Sequence, residues 1–358
     1  MADTVLINDL RVQKWLRTYF QEYVRDSGFK GYMGTGTSSI IQVKRELQDH
    51  GKTINIPLIT RLKGAGVTGT NVLTGNEEAL GNLNHQITID FLRNAVVINE
   101  ADEHWTILDL MGAAKDALNM WAADRLRTDL ITALGSIDGI AYGTASAGQR
   151  NTWTTNNADR VLFGREVSNY STTHATALNA IASTETLNAG TLSLLKRIAK
   201  TADPHIRPTR VNAAEGREYF VAFVGSMAFR DLKNDATMAQ ANREARPRDV
   251  AANPIFQDGD LIYDGVVVRE IPEITGFSNT AGTPLRVEPV YLCGAQALGL
   301  AWGQEPTPIK DDFDYGMRKG IGLKEVRGIS KLRFNTGASS ASKDHGVVTG
   351  FVAAALDV

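Results

Sequence analysis

Apolar positions along the chain change period several times, predicting short strands interleaved with amphipathic helices and no strict internal repeat. In residues 5–24, Leu6, Leu10, Leu16 and Phe20 recur at broadly helical spacing, which predicts an amphipathic helix. A Gly-, Ser- and Thr-rich stretch, 28–39, then reads as an extended arm, and a short helical patch over 40–50 leads to Gly51, a natural helix stop. From residue 53 to 60 the period becomes two. Ile54, Ile56 and Leu58 share one face of a strand, while Pro57, which has no N–H, marks an edge or a bulge. A second strand over 86–98 puts Ile87, Ile89 and Phe91 on one face. The Gly-rich, polar residues 61–85 join the two, a connection longer than compact domains usually carry. A two-stranded ribbon with one apolar face is marginal alone, so it wants a partner surface that a neighbouring subunit can supply.

The longest helical signal runs over 103–134, without proline. Ile107, Met111, Ala114, Leu118 and Trp121 form a stripe that Leu126, Leu130 and Leu134 continue. At the helical rise such an element is about 45 Å long, more than a small domain needs. Residues 135–186 are polar and weakly patterned and read as strands and loops. A second helix over 187–201 is stopped by Pro204 and Pro208. Residues 218–224 read as a buried strand, and Ser226 as the cap of a helix reaching Leu232. Residues 261–271 are strand-like with a turn at Asp264-Gly265; 290–302 open with a strand, 328–334 form another, and 347–355 are an apolar tail. The fold class is α+β, with a ribbon set apart from a core.

With 358 residues, 43% hydrophobic and 22% charged, the chain can bury a sizeable core in two domains or one elaborated one. A formal net charge of -2 supplies no global field that would draw it to nucleic acid or an anionic membrane. No apolar run reaches the length of a membrane span, so no membrane partner is expected. The first ten residues carry Asp3 and Asp9 and lack the features of a signal peptide, which points to synthesis in a reducing cytoplasm. Cys293, the single cysteine, reads as a small buried hydrophobe.

Candidate chemistry is weak throughout. Gly64, Gly66 and Gly69 match G-x-G-x-x-G, with Asp90 some twenty residues on, but Thr70 to Gly75 cannot open the helix that a dinucleotide pyrophosphate requires. Ser226 lacks the second glycine of a nucleophile elbow. The histidines are scattered without metal-ligand spacing. Adjacent carboxylates, Glu77-Glu78 and Asp311-Asp312, read as solvated faces or cross-subunit ion pairs. Arg243, Arg246 and Arg248 lack the interleaved aromatics of a nucleic-acid site. No catalytic, cofactor-binding or metal-ligating residue is therefore assigned, and no cofactor is expected.

Residues 51–97 carry an ordered pattern: Leu62, Gly64, Gly66, Val67, Gly69, Leu73, Gly75, Asn76, Glu77 and Glu78. It resembles that of a family of tailed-phage major capsid proteins. Asn253-Pro254-Ile255-Phe256 with Tyr263-Asp264-Gly265-Val266, Leu292 to Ala297 as a strand-to-helix turn, Asp314-Tyr315-Gly316, and Gly328 to Lys331 with Phe334 follow in the family's order. Residues 139–186 and those after Asn335 depart from it.

The resemblance implies the shell fold shared by tailed phages and the herpesvirus capsid floor. Mapped onto this chain it gives an N-terminal arm over 1–48 and an extended β-hairpin loop over 49–99. A peripheral domain with a spine helix (103–134) follows over 100–202, then a mainly axial domain over 203–300 and a return to the peripheral domain over 301–358. It implies pentamers and hexamers of one chain closing into an icosahedral shell around double-stranded DNA, contacted non-specifically. A separate scaffolding protein, a portal and decoration proteins are further expected partners. The place of work would be the virion capsid, after synthesis and assembly in the host bacterial cytoplasm. Candidate assembly-interface residues are Ile54, Ile56, Ile87 and Ile89 on the ribbon's apolar face, and Glu77 and Glu78 as ion-pair partners of an adjacent subunit. The alternatives are a nanocompartment shell, a dinucleotide-binding enzyme using residues 64–69, and a tail or decoration protein.

Overall fold

The computed structural model describes residues 29–47, 51–59, 62, 64–80, 82–105, 110–210, 218–244, 261–335 and 342–357. The helix expected over 5–24, Arg246, Arg248 and the Asn253 to Phe256 motif lie outside them, as does Ile107.

Two sheets organise the described chain. The first contains β1 (Met33–Gly34), β2 (Ile41–Lys44), β5 (Asp90–Asn99), β13 (Leu298–Phe313) and β14 (Arg318–Lys331), in the order β1-β2-β13-β14-β5. β3 (Thr53–Ile59) and β4 (Asn82–Thr88) pair only with each other and form the ribbon. The second sheet runs β6-β17-β12-β8-β10-β9, from β6 (Val161–Phe163), β8 (Glu218–Val224), β9 (Leu261–Tyr263), β10 (Val266–Glu270), β12 (Arg286–Cys293) and β17 (Val347–Ala353). Short β7 (Thr209–Arg210) and β11 (Phe277–Ser278) flank it, and β15 (Arg333–Asn335) pairs with β16 (Ser342–Asp344).

The long helix is Leu110–Leu134, preceded by a separate short helix, Glu100–Trp105, so the element expected over 103–134 starts later as a continuous rod. Its expected stripe is real: Ala114, Leu118, Leu126, Leu130 and Leu134 are buried, joined by Ala122. The N-terminal part of this stripe packs on Ile321, Val96 and Ile98 of the first sheet. The remainder meets Leu298, Leu300 and Trp302 at the junction with the second sheet.

Local signals predicted several elements well. Strand 218–224 and the β9–β10 turn stand where expected, with Asp264 (φ 47°) and Gly265 (φ 68°) both left-handed, as a two-residue hairpin turn demands. The helix expected over 187–201 runs Ala189–Thr201, with the Asn188 side chain accepting from Thr191 N–H.

Other expectations are corrected. Residues 41–44 form strand rather than helix, because Ile40 and Ile41 are buried and β2 pairs in parallel with Leu298 to Ala301. Residues 86–98 make two strands broken at Ile89, since β4 pairs with β3 and β5 leaves to pair with β14. Residues 135–186, expected as strands and loops, hold helices Ala147–Asn156 and His174–Asn179. Residues 292–297 link strand to strand, not strand to helix. The cap of helix Ser226–Asn234 is Gly225, not Ser226, whose hydroxyl instead donates to Glu270 at 2.7 Å. The buried Glu288 carboxylate accepts from Ala228 N–H (2.7 Å) at that helix end, and a Cβ on residue 225 would overlap it.

Candidate assembly surfaces

The ribbon is anchored before it is free. Ile87 is 1% exposed and Ile89 is buried beside it, both packed with Val326, Leu332 and Phe334 of this same chain. Ile54 and Ile56 are partly buried against that cluster. The apolar row read as a face awaiting a neighbour is thus covered, at its root, by the protomer's own β13, β14 and β15. Period-two alternation revealed that the row is buried but not what buries it. Glycines let the strands close: a Cβ on Gly328 would overlap the Thr88 carbonyl, and one on Gly299 would meet Ile87. His85 completes the root, its Nε2 3.1 Å from Ser330 Oγ and its ring edge-on to Phe334.

Beyond the root, the connecting residues expose Ile59, Leu62, Val72, Leu73 and Leu80. The loop is held by its own carboxylates: Gly64 N–H donates to Glu78 Oε2 at 2.6 Å and Gly75 N–H to Glu77 Oε2 at 2.7 Å. The two acids therefore shape the loop from within. A carboxylate has further lone pairs, so these bonds leave acceptor capacity for a neighbour. No helix opens among residues 64–80, which removes the phosphate-binding geometry that the glycine fingerprint would need.

At the other end of the first sheet, β13 and β14 form a long hairpin turning at Asp314-Tyr315-Gly316, where all three residues have positive φ and the Tyr315 side chain is fully exposed. Nothing in the sequence reading identified this hairpin.

The remaining buried polar groups are structural. Cys293 is buried, its thiol pushed up by burial, as its apolar neighbours implied. Among the described residues no group of His, Cys, Asp or Glu could hold a metal ion. His174 bridges Tyr142 Oη (2.8 Å) and Thr154 Oγ1 (2.8 Å) inside an aromatic cluster with Phe163 and Phe351.

Burial holds three histidines down to about 4: His85, with Arg333 adding to the effect, His174, with Arg150, and His345, with Arg160 and Arg207. Their unfolded value is about 6.5, so between about pH 6.5 and 4 the unfolded chain binds more protons than the folded one. The stability these neutral rings contribute is present above that window and is lost as pH falls through it. Chemical denaturation of the unassembled chain at pH 7, 5.5 and 4 should show that loss, and His174→Gln should flatten part of it. A pH-independent midpoint would contradict the assignment.

Comparison with known proteins agrees across the whole chain. The family described as phage capsid protein matches residues 4–356. The major capsid protein of Pseudomonas phage KPP25 is 29% identical over 368 residues, covering 94% of this chain and 93% of its own. The cyanophage Pam1 capsid asymmetric unit superposes with a TM-score of 0.84 at 42% identity, covering 93% of this chain and 94% of that one. The capsid of Ralstonia phage GP4 has the same fold, with a TM-score of 0.71, 24% identity and coverage of 91% and 90%.

Proposed function

The chain belongs to the phage capsid protein family, and from that premise we propose how it builds its shell. It is a major capsid protein of a tailed phage, and many copies of it form the capsid. Pentamers and hexamers of this one chain occupy quasi-equivalent positions in an icosahedral lattice that encloses double-stranded DNA. Assembly takes place in the host bacterial cytoplasm, assisted by a separate scaffolding protein and a portal. The chain works through surfaces, not through catalysis.

The observation that carries this reading is the likeness to the Pam1 capsid, 42% identical at a TM-score of 0.84 over almost the full chain. The division of labour follows from the two sheets. The long helix and the β5-β14-β13 strands form the peripheral domain. The sheet built on β8, β10 and β12 is the axial domain, and the β3–β4 ribbon with the preceding arm reaches to neighbours. The near-neutral charge suits a container wall that must not grip its DNA.

Negative-stain electron microscopy with light scattering on the purified chain, with scaffold supplied, tests the proposal. Closed shells or five- and six-fold capsomers at megadalton mass are expected. A small species that persists with scaffold present would overturn it. Nucleic acid rather than a cargo enzyme inside native particles separates this shell from a nanocompartment.

A further inference from the structure

The three long strands β5, β14 and β13 have two faces, and only one is covered along its whole length. On the covered face, Val96, Ile98 and Ile321 pack against Ala114 and Leu118 of the long helix. Strand alternation puts the intervening residues on the opposite face. There the register aligns Thr307 with Lys324 and Arg93, Ile309 with Gly322 and Ala95, and Asp311 with Gly320 and Val97. Near the ribbon root this face is occupied, because Val326, two residues from Lys324, packs with Ile89. Further out it is open: Phe91 is 64% exposed, and Val97, Ile309 and Phe313 are also exposed. Gly322 and Ala95 make a low floor between these side chains, and Lys324 Nζ lies 5.2 Å from the Phe91 ring centroid.

We propose that this open face receives the ribbon loop of a second copy of the chain, with Val72, Leu73 and Leu80 on its apolar strip and Glu77 and Glu78 toward Arg93 and Lys324. Two observations select that occupant. The face is the continuation of the surface on which the protomer seats its own ribbon root, so a second ribbon extends an existing mode of packing. The charges are also complementary: the loop presents adjacent carboxylates beside exposed apolar residues. The face presents Arg93 and Lys324 beside exposed Phe91 and Val97. The contact is heterologous, loop to face, so each copy offers both halves and a ring of copies can close. An exposed apolar strip of this kind is otherwise a liability in a protein that must stay soluble before assembly.

The inference rests on the shell reading, and its test separates the two. A benzophenone amino acid is placed at Leu73 in the full chain, assembled particles are irradiated, and cross-linked peptides are identified by mass spectrometry. The expected result is a covalent dimer joining the loop to residues 91–99 or 318–324 of another copy. Cross-links confined to the long helix, to the second sheet or to the same chain would overturn the contact while leaving the shell intact. Failure of the unsubstituted chain to form any particle would overturn the shell reading and this contact with it. A charge exchange gives an independent readout. Arg93→Glu with Lys324→Glu should lower shell yield by at least about tenfold, the equivalent of 1.4 kcal/mol, while the circular dichroism of the unassembled chain is unchanged. Adding Glu77→Lys should restore part of that yield; normal yield from the Arg93→Glu, Lys324→Glu chain would count decisively against the contact.

Discussion

Asp344→Ala is expected to destabilise the unassembled chain by about 3–5 kcal/mol, the usual cost of stranding one partner of a buried ion pair. Asp344 Oδ2 lies 2.6 Å from Lys331 Nζ, and both side chains are almost fully excluded from water. Trp153 Nε1 donates to the same oxygen at 3.1 Å, and the Lys331 ammonium also sits against the Trp153 ring. The Asp344 N–H donates to Asn157 Oδ1 (2.9 Å), while Arg160 donates to the carbonyls of Asp344, His345 and Pro204. The end of β14, strand β16 and helix Ala147–Asn156 are thus tied through one carboxylate. Alanine would leave the ammonium and the indole N–H buried without it. Replacing both charges, Lys331→Met with Asp344→Leu, should cost far less, because no charge is then stranded. Urea denaturation of the three chains checks this, and a D344A loss equal to that of the double variant would show that the pair is not what holds the junction.

Gly328→Ala should have the next largest effect, about 3 kcal/mol, at the upper end of ordinary overpacking because the obstacle is backbone. Its Cβ would overlap the Thr88 carbonyl oxygen, lie 2.9 Å from the carbonyl carbon and reach Ile87 Cγ2 at 3.2 Å. β14 cannot approach the end of β4 with a side chain there, so the ribbon must lift from its seat. Gly299→Ala is the control. The nearest atoms to its Cβ are the tips of Ile87 and Leu332, which can turn aside. Thermal denaturation should rank Gly328→Ala well below Gly299→Ala, and hydrogen exchange should localise the change to β3 and β4. Equal melting temperatures would mean that the ribbon root yields freely.

These positions also mark where the sequence stops being legible. Elements governed by their own residues were readable: the Asp264-Gly265 turn, strand 218–224, the Asn188-capped helix and the apolar stripe of the long helix all announce themselves locally. Elements set by distant partners were not. Ile41 to Lys44 carries no strong preference and becomes strand because β13 lies beside it. The β13–β14 hairpin was hidden by Pro306, Pro308 and a charged outer half, which suppress the alternation expected of a strand. One miss had an available signal. Ser146 and Gln149 form a reciprocal capping box that starts helix Ala147–Asn156, and S-x-x-Q can be read directly from the chain. For the assembly residues, periodicity found Ile54, Ile56, Ile87 and Ile89 as one apolar row. Only the folded chain distinguishes a row already covered from one still open. Glu77 and Glu78 likewise read as charges, while their bonds to Gly75 and Gly64 exist only once the loop closes.

The place of β17 has a consequence for the order of manufacture. Val347–Ala353 lies inside the second sheet, paired with β12 on one side and β6 on the other. Strand β6, made almost two hundred residues earlier, waits for that late arrival before it joins any sheet at all. A nascent chain still on the ribosome, or one cut short by a premature stop, therefore leaves β12 with an open edge. Translation itself becomes the gatekeeper: only a chain synthesised through residue 353 closes this sheet and qualifies as a building block.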